Sequence, residues 1–337
     1  MTAPLFLEPA FQSRIWGGRS LATRFGYALP DGPVGECWGV SAQENGPSVV
    51  RSGPHAGEPL ADVWESDRAF FGGDTGSDTG TGCAPGGFPL LVKFLDARDW
   101  LSVQVHPDDA QAAELEGVPS GKTECWYVVA AEPGAELVLG HRAGSREELA
   151  RMIDEGRWDE LLLHRPVAAG DFVYVPSGTV HAVGPGLLVC EVQQSCDTTY
   201  RVWDFDRRDD AGRLRDLHLD KAKRVLHAPY DPATTGTAAP PVPRPGGRRR
   251  HLVSGPFFEV ALHEVRGDGY RVAFPSWEVC TVTDGAGSVR WDGQEHPLRA
   301  GDHLVLPADA GEVTFGGSVT VVTSHPRPRT SWQAPPP

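Results

Sequence analysis

A mainly β chain built as two related small barrels is the fold class that this sequence predicts, and three observations carry it. Glycine and proline number 40 and 30 among 337 residues, and they punctuate short runs rich in Val, Leu, Phe, Tyr and Trp. That is the pattern of many strands joined by tight turns. The run Gly170-Asp171-Phe172-Val173-Tyr174-Val175-Pro176-Ser177-Gly178-Thr179-Val180-His181 reads as a glycine turn, an apolar strand, a Pro-x-Gly corner and a histidine opening the next strand. The third observation is an echo of that run. Ala300-Gly301-Asp302-His303-Leu304-Val305-Leu306-Pro307 parallels Ala169 to Pro176, and Trp277-Glu278-Val279-Cys280 parallels Thr123-Glu124-Cys125-Trp126. After Pro307 neither the corner nor the histidine follows, so the second barrel is expected to be degenerate and to lack metal ligands.

Taken in order, Ile15-Trp16-Gly17-Gly18 reads as a turn behind an aromatic, and Glu36 to Ser41 as a short strand. Trp16, Glu36 and Trp38 read as scaffold rather than chemistry. Helical insertions are predicted at about 55–71, 107–117 and 145–164, the second opened by Pro107-Asp108-Asp109 and the third by the capping pattern Ser145-Arg146-Glu147-Glu148. Gly72 to Gly87 is almost all Gly, Asp, Thr and Ser, a surface loop by composition. Pro89 to Leu95, Leu101 to His106, Glu124 to Val129 and Leu187 to Gln193 read as strands, and Asp216 to Leu226 as a helix on which His218 is given no role. Residues 1–227 thus form a first domain, 228–250 a Pro/Ala/Thr/Gly linker, and 251–337 a second domain. The linker ends in Arg248-Arg249-Arg250, read as a solvated tether.

The net charge of −14 argues against a nucleic acid or an anionic membrane surface as partner. An anionic small molecule would need a local basic pocket. Six scattered cysteines without a C-x-x-C pair suit buried free thiols rather than a disulfide framework, Cys125 and Cys280 lying inside apolar runs. With no leader pattern after Met1 and no apolar run long enough to cross a bilayer, the expected compartment is the cytoplasm. No sequence feature sets an oligomeric state.

The chemistry concentrates in three places. On the strand Leu101 to His106, alternation puts Ser102, Gln104 and His106 on one face, a polar inward face that suits the lining of a site. Glu124 is the odd member of an otherwise apolar strand, and His181 follows the Pro-x-Gly corner. Two imidazoles and one carboxylate without cysteine suit a catalytic zinc, or iron, with open positions. Lys122 alternates with Glu124, which points both side chains the same way. Lys93 interrupts an apolar run, either as a phosphate ligand or as a lysine snorkelling from a strand edge.

Gly170, Pro176, Gly178 and His181 match the second motif of the cupins, with Pro185 where an Asn often closes it. The first cupin motif is broken by the helical insertion between His106 and Glu124. The chain resembles the type I mannose-6-phosphate isomerases in their short bacterial form. The resemblance rests on Ile15 to Gly18, Gln104-Val105-His106-Pro107-Asp108-Asp109, Gly121-Lys122-Thr123-Glu124-Cys125-Trp126-Tyr127, Pro176 to His181, and Glu191-Val192-Gln193-Gln194-Ser195-Cys196-Asp197-Thr198-Thr199-Tyr200-Arg201-Val202. It implies two cupin-like jelly-roll barrels and one zinc ion per chain, held by His106, Glu124 and His181 with Gln104 as a possible fourth ligand. It also implies a reaction, the interconversion of mannose 6-phosphate and fructose 6-phosphate by proton transfer between C2 and C1.

That reaction needs a base, a stabiliser for the enediolate oxygen and a clamp for the phosphate. Arg201 matches the family's active-site arginine, and a planar, permanently charged donor suits the last two tasks. The alternative for Arg201 is a salt bridge to Asp204 or Asp206. Glu191 and Lys122 are the candidates for proton transfer, Lys122 on the condition that desolvation beside zinc lowers its pKa, and Lys93, Lys122 and Arg201 are the candidates for substrate binding. Two other readings share the ligand set: an Fe(II) cupin oxygenase, and a non-catalytic sugar-binding cupin. Arg201 with Lys122 favours the isomerase, since an oxygenase has no general need for a phosphate clamp.

Overall fold

Short β-branched and aromatic runs cut by glycine and proline leave little room for long helices. The computed structural model, which describes residues 3–73, 87–208, 211–236 and 238–327, is accordingly mainly β. Its strands form three antiparallel sheets of ten, six and five strands. The six-stranded sheet runs Phe172–Val175, Glu124–Ala131, Leu187–Gln194, Leu90–Ala97, Ala10–Gly18, Val34–Val40. The five-stranded sheet runs Tyr200–Trp203, Val103–Val105, His181–Val183, Glu136–His141, Leu162–Pro166.

Period-two alternation sorts the side chains of these strands between layers. Leu95, Trp126, Val173 and Val189 of the six-stranded sheet share one buried cluster with Leu137, Leu139 and Val183 of the five-stranded sheet, so the two sheets face each other. The alternate residues Val92, Phe94, Cys125 and Cys190 turn the other way, against Leu262, Val279 and Val305 of the ten-stranded sheet. Full burial of a side chain such as Phe94, 0 % exposed, contributes about 1.5–3 kcal/mol. The helices Arg146–Asp154 and Leu219–Val225 cover the outer face of the five-stranded sheet through Leu149, Met152, Ile153, Ala222 and Val225.

The internal echo is reproduced in register. Glu124 lies opposite Val175 on one strand pair, and Glu278 lies opposite Leu306 on the other, each partner followed directly by Pro176 or Pro307. All five described cysteines are buried free thiols. No helix among the described residues is long and apolar enough to cross a membrane.

Several expectations are adjusted. The insertions contain the helices Leu60–Ser66 and Asp109–Glu116, and the third splits into Arg146–Asp154 and Trp158–Leu161 before turning into the strand Leu162–Pro166. The helix expected from Asp216 is confined to Leu219–Val225. Ile15 to Gly18 is strand rather than turn, because a side chain at Gly17 would meet the Gly35 nitrogen at 2.4 Å, and the glycine permits that approach. The expected linker carries the turn Pro232–Thr235 and the strand Val242–Arg244, and the three arginines lie in the strand Gly247–Ser254. Most of the glycine-rich loop, residues 74–86 with Cys83, lies outside the described residues. The strand Leu5–Glu8 pairs with His303–Leu306, so the start of the chain completes the C-terminal sheet.

Candidate metal centre and active site

Two transverse rows of side chains, one on each facing sheet, build the site. On the five-stranded sheet Arg201 lies opposite Gln104, and Gln104 opposite His181. On the six-stranded sheet Trp126 lies opposite Glu191, Glu191 opposite Lys93, and Lys93 opposite Trp38. Cross-strand partners share a face, so each row presents its polar groups together. One step along, Glu124 lies opposite Gln193.

The corner that delivers His181 is a turn with its Thr179 amide on the Pro176 carbonyl at 3.2 Å. Gly178 takes φ +80° within it, a conformation that a side chain would strain. The Gly178 amide also donates to the His106 carbonyl at 2.9 Å, tying the corner to the strand end that bears the other histidine. The loop before Lys122 is held by Asp109, whose carboxylate accepts from the Gly121 amide at 2.8 Å and from Gln194 Nε2 at 3.0 Å, while Gln194 Oε1 accepts from the Thr123 amide at 2.8 Å. Residues distant in sequence thus meet in one hydrogen-bonded frame.

Within that frame His106, Glu124 and His181 bring one donor atom each to within 4.8 Å of one another, all buried. Glu124 Oε2 is 3.3 Å from His106 Nε2, and Oε1 is 3.3 Å from His181 Nε2. His106 Nδ1 donates to the Thr198 carbonyl at 3.0 Å and His181 Nδ1 to the Thr179 carbonyl at 2.9 Å. Those two bonds fix the tautomer in which each Nε2 lone pair points at the shared centre, the usual arrangement behind a metal-bound imidazole. Burial, with the Lys122 charge, pushes His106 down to about 3, and burial lowers His181, so both rings are neutral. Glu124 is completely buried: its Oε2 meets the Lys122 ammonium at 2.8 Å, and its Oε1 accepts no hydrogen bond. Two neutral imidazoles and a buried carboxylate with an open oxygen, all within 4.8 Å, fit a divalent cation. The Gln104 amide lies 3.3 Å from His181 Nε2, and a half-turn of that amide presents its oxygen to the same centre.

The neighbouring charges form a buried chain. Lys122 Nζ lies 2.8 Å from Glu124 Oε2, 3.1 Å from His106 Nε2 and 4.0 Å from Glu191 Oε1. Burial alone would lower Lys122, but Glu124 and Glu191 outweigh it and its pKa is raised. With these two carboxylates alone beside it, Lys122 is held as an ammonium. Burial and the Glu124 charge raise Glu191, whose Oε2 accepts from Trp126 Nε1 at 2.9 Å. Lys93 does not snorkel. It is 4 % exposed, 3.3 Å from Glu191 and 3.6 Å from Glu36, with its ammonium 5.3 Å from the centre of the Trp38 ring.

Glu36 does more than pack. It receives Trp38 Nε1 at 2.6 Å and Arg14 Nε at 2.7 Å, and although burial opposes this, Lys93 and Arg14 hold it at about 2. The signal was available: Glu36 is a lone acid in an otherwise apolar strand, as Glu124 is. Arg201 is half-buried. One of its terminal nitrogens donates to the Asp216 carbonyl at 2.6 Å, and its Nε is buried without a partner. Among the described residues Arg201 forms no salt bridge to Asp204 or Asp206; Arg207 and Arg215 hold Asp204 Oδ1 at 2.5 and 3.1 Å. His218 accepts the Arg201 backbone amide at 3.0 Å, a positioning contact that sequence reading left without a role.

Residues 5–127 match the catalytic domain of type I phosphomannose isomerase, and residues 248–326 match the cupin domain of mannose-6-phosphate isomerase. The chain is 45 % identical over 329 residues to the mannose-6-phosphate isomerase of Streptococcus mutans, covering 96 % of this chain and 99 % of that one. The chain belongs to the type I phosphomannose isomerase family. Within that family it is also 41 % identical to mannose-6-phosphate isomerase ManA of Bacillus subtilis, over 96 % of this chain and 99 % of the relative. The crystal structure of a Bacillus subtilis mannose 6-phosphate isomerase superposes with a TM-score of 0.89 at 40 % identity, over 96 % of this chain and all of that one. A variant of the Salmonella typhimurium phosphomannose isomerase, 16 % identical, superposes at 0.78 over 97 % of this chain, a likeness of fold alone.

Proposed function

We propose that this chain interconverts mannose 6-phosphate and fructose 6-phosphate through an enediolate, with one zinc ion per chain held by His106, Glu124 and His181 and with Gln104 as fourth ligand. The observation that carries the reading is the convergence of two backbone-oriented imidazoles on the buried Glu124 carboxylate, whose Oε1 accepts no hydrogen bond and whose Oε2 meets the Lys122 ammonium. Zinc, when bound, supplies Lewis-acid stabilisation at the substrate's O1/O2 edge without redox change. Glu191 is the proposed base: its raised pKa makes it a better proton acceptor than an ordinary carboxylate, and Lys93 keeps its ionised form available. Lys122, protonated and buried, is the matching acid at the substrate oxygens. Arg201 is the proposed clamp for the phosphate or the developing oxyanion, through the buried Nε that no protein group satisfies. The expected substrate contact of Lys93 is the weakest of the set, because Glu191 and Glu36 already meet its charge.

The fold reading that accompanies this function has two cupin-like barrels. The first, residues 1–227, uses the facing six- and five-stranded sheets. The second, residues 251–337, supplies most of the ten-stranded sheet, which Leu5–Glu8, Val49–Val50 and Val242–Arg244 extend, with 228–250 as the connecting stretch. The in-register pairs Glu124–Val175 and Glu278–Leu306 support the duplication. In the second unit Glu278 pairs with His325 at 3.0 Å, which supports loss of the metal site there. A cytoplasmic setting with a phosphosugar as the small-molecule partner fits this reading.

The test is a coupled assay of mannose 6-phosphate turnover before and after chelation. Activity lost on chelation and restored by zinc is expected. Turnover that persists in the metal-free protein overturns the zinc centre, and metal-loaded protein without turnover overturns the reaction.

A further inference from the structure

The three arginines at the start of the C-terminal sheet do not act as one basic run. On the strand Gly247–Ser254 alternate residues face opposite ways. Arg248 makes two hydrogen bonds to the Glu264 carboxylate, and Arg250 donates to the Gly170 carbonyl at 2.8 Å and the Ala239 carbonyl at 3.1 Å. Arg249 points the other way. It lies opposite Val242 on one side and opposite His263 on the other, and His263 is buried against Tyr270 at 3.0 Å. Arg244, two residues from Val242, shares that face and is exposed at the cavity's rim.

Both guanidiniums line a cavity of about 750 Å³ in the C-terminal unit, within the size range of small-molecule sites. Its wall includes the buried Trp277 and Tyr270, and its acidic groups are Glu259 and Glu278. Those acids are already matched. His325 lies 3.0 Å from Glu278, and Arg327 lies 3.4 Å from Glu259. Arg271, also on the wall, pairs with Glu312 at 3.4 Å. Arg244 and Arg249 have no side-chain partner among the described residues. Their charge still reaches inward, since after burial it is the next cause of the lowered pKa of His263. An acidic chain therefore keeps two uncompensated cations facing a cavity that also offers carboxylate and threonine oxygens to hydroxyl groups, beside an aromatic wall.

We propose that this cavity is a second ligand site, separate from His106, Glu124 and His181, for a polyhydroxylated phosphate monoester of the sugar phosphate class. The phosphate sits between Arg244 and Arg249, in the manner of charge-assisted recognition by guanidinium groups. The hydroxyls are read by Glu259, Glu278 and Thr323, and a sugar face rests on Trp277.

Calorimetry on the full-length, zinc-loaded chain with fructose 6-phosphate tests this. Two sites per chain are expected, and the variant R244Q/R249Q should weaken one by at least about tenfold while leaving turnover at low substrate unchanged. A single site in both proteins overturns the proposal. A second measurement uses the unaltered protein. Phenylglyoxal labelling of Arg244 and Arg249, read by peptide mapping, should slow when fructose 6-phosphate or glucose 6-phosphate is present. Labelling unaffected by either sugar phosphate overturns the site, and equal protection by sulfate at matched ionic strength overturns the sugar phosphate class.

Discussion

Lys93 and Glu191 lie directly opposite each other on adjacent antiparallel strands, 3.3 Å apart and each at most 4 % exposed. Glu36 closes the far side of the lysine at 3.6 Å. A buried ammonium between two carboxylates makes removal of the middle charge costly, since it leaves like charges facing each other in a dry site. Lys93→Met is expected to destabilise the fold by about 3 kcal/mol or more. It should also lower kcat by roughly a hundredfold or more by raising Glu191 further. Urea unfolding and steady-state kinetics on the same preparation check both. A variant with full stability would remove Lys93 from the charge chain.

The metal site makes a graded prediction. His181→Ala removes one of three converging donors, and bound zinc should fall from one per chain to near zero. Gln104→Leu keeps all three and loses only the neighbouring amide, so zinc should remain but bind about 10- to 100-fold more weakly. Metal analysis after dialysis against a competing chelator separates the two. Unchanged affinity in Gln104→Leu makes Gln104 a structural group.

Arg201 offers a buried Nε without a protein partner, while Arg207 and Arg215 both engage Asp204 through its Oδ1. Arg201→Lys keeps the charge and loses the planar donor set. A fall in kcat/KM of about a hundredfold is expected, with the melting temperature little changed. Equal activity in the lysine variant would mean that a point charge suffices.

How much of this was legible depended on whether local sequence carried the constraint. The Pro176-Ser177-Gly178 corner needs a positive φ at one residue and delivers His181, so a short pattern announces both turn and ligand. The odd acid Glu124 in an apolar strand was legible for the same reason, whereas Glu36, of identical appearance, reads as scaffold because its partners Arg14 and Lys93 are brought to it only by strand pairing. The Thr198 and Thr179 carbonyls that orient the histidines left no trace, since a backbone acceptor has no residue signature. The pairing of Leu5–Glu8 with His303–Leu306 joins segments nearly the whole chain apart, and hydrophobic alternation does not encode a partner. Arg248-Arg249-Arg250 reads as a tether by composition, yet alternation splits it, two arginines bonding to the protein and one facing the cavity.

His263 and His303 are each 1 % exposed. Burial, then the charges of Arg249 and Arg244, pushes His263 down to about 3, and burial, then Arg51, does the same to His303. In the unfolded chain each titrates near its ordinary value of about 6.5. Between those limits the unfolded chain binds a proton at each position and the folded chain does not. Stability present above about pH 6.5 is therefore lost as pH falls, at roughly 1.4 kcal/mol per pH unit for each histidine. His325 works in the other direction: although burial opposes it, Glu278 raises its pKa, so its contribution is greatest at low pH and is lost as pH rises. His263→Gln keeps polar contact with Tyr270 and Thr323 but removes one titration. Urea unfolding from pH 5 to 6.5 should show a slope shallower by about one proton in the variant than in the parent. Parallel curves would mean that His263 takes up its proton inside the folded protein.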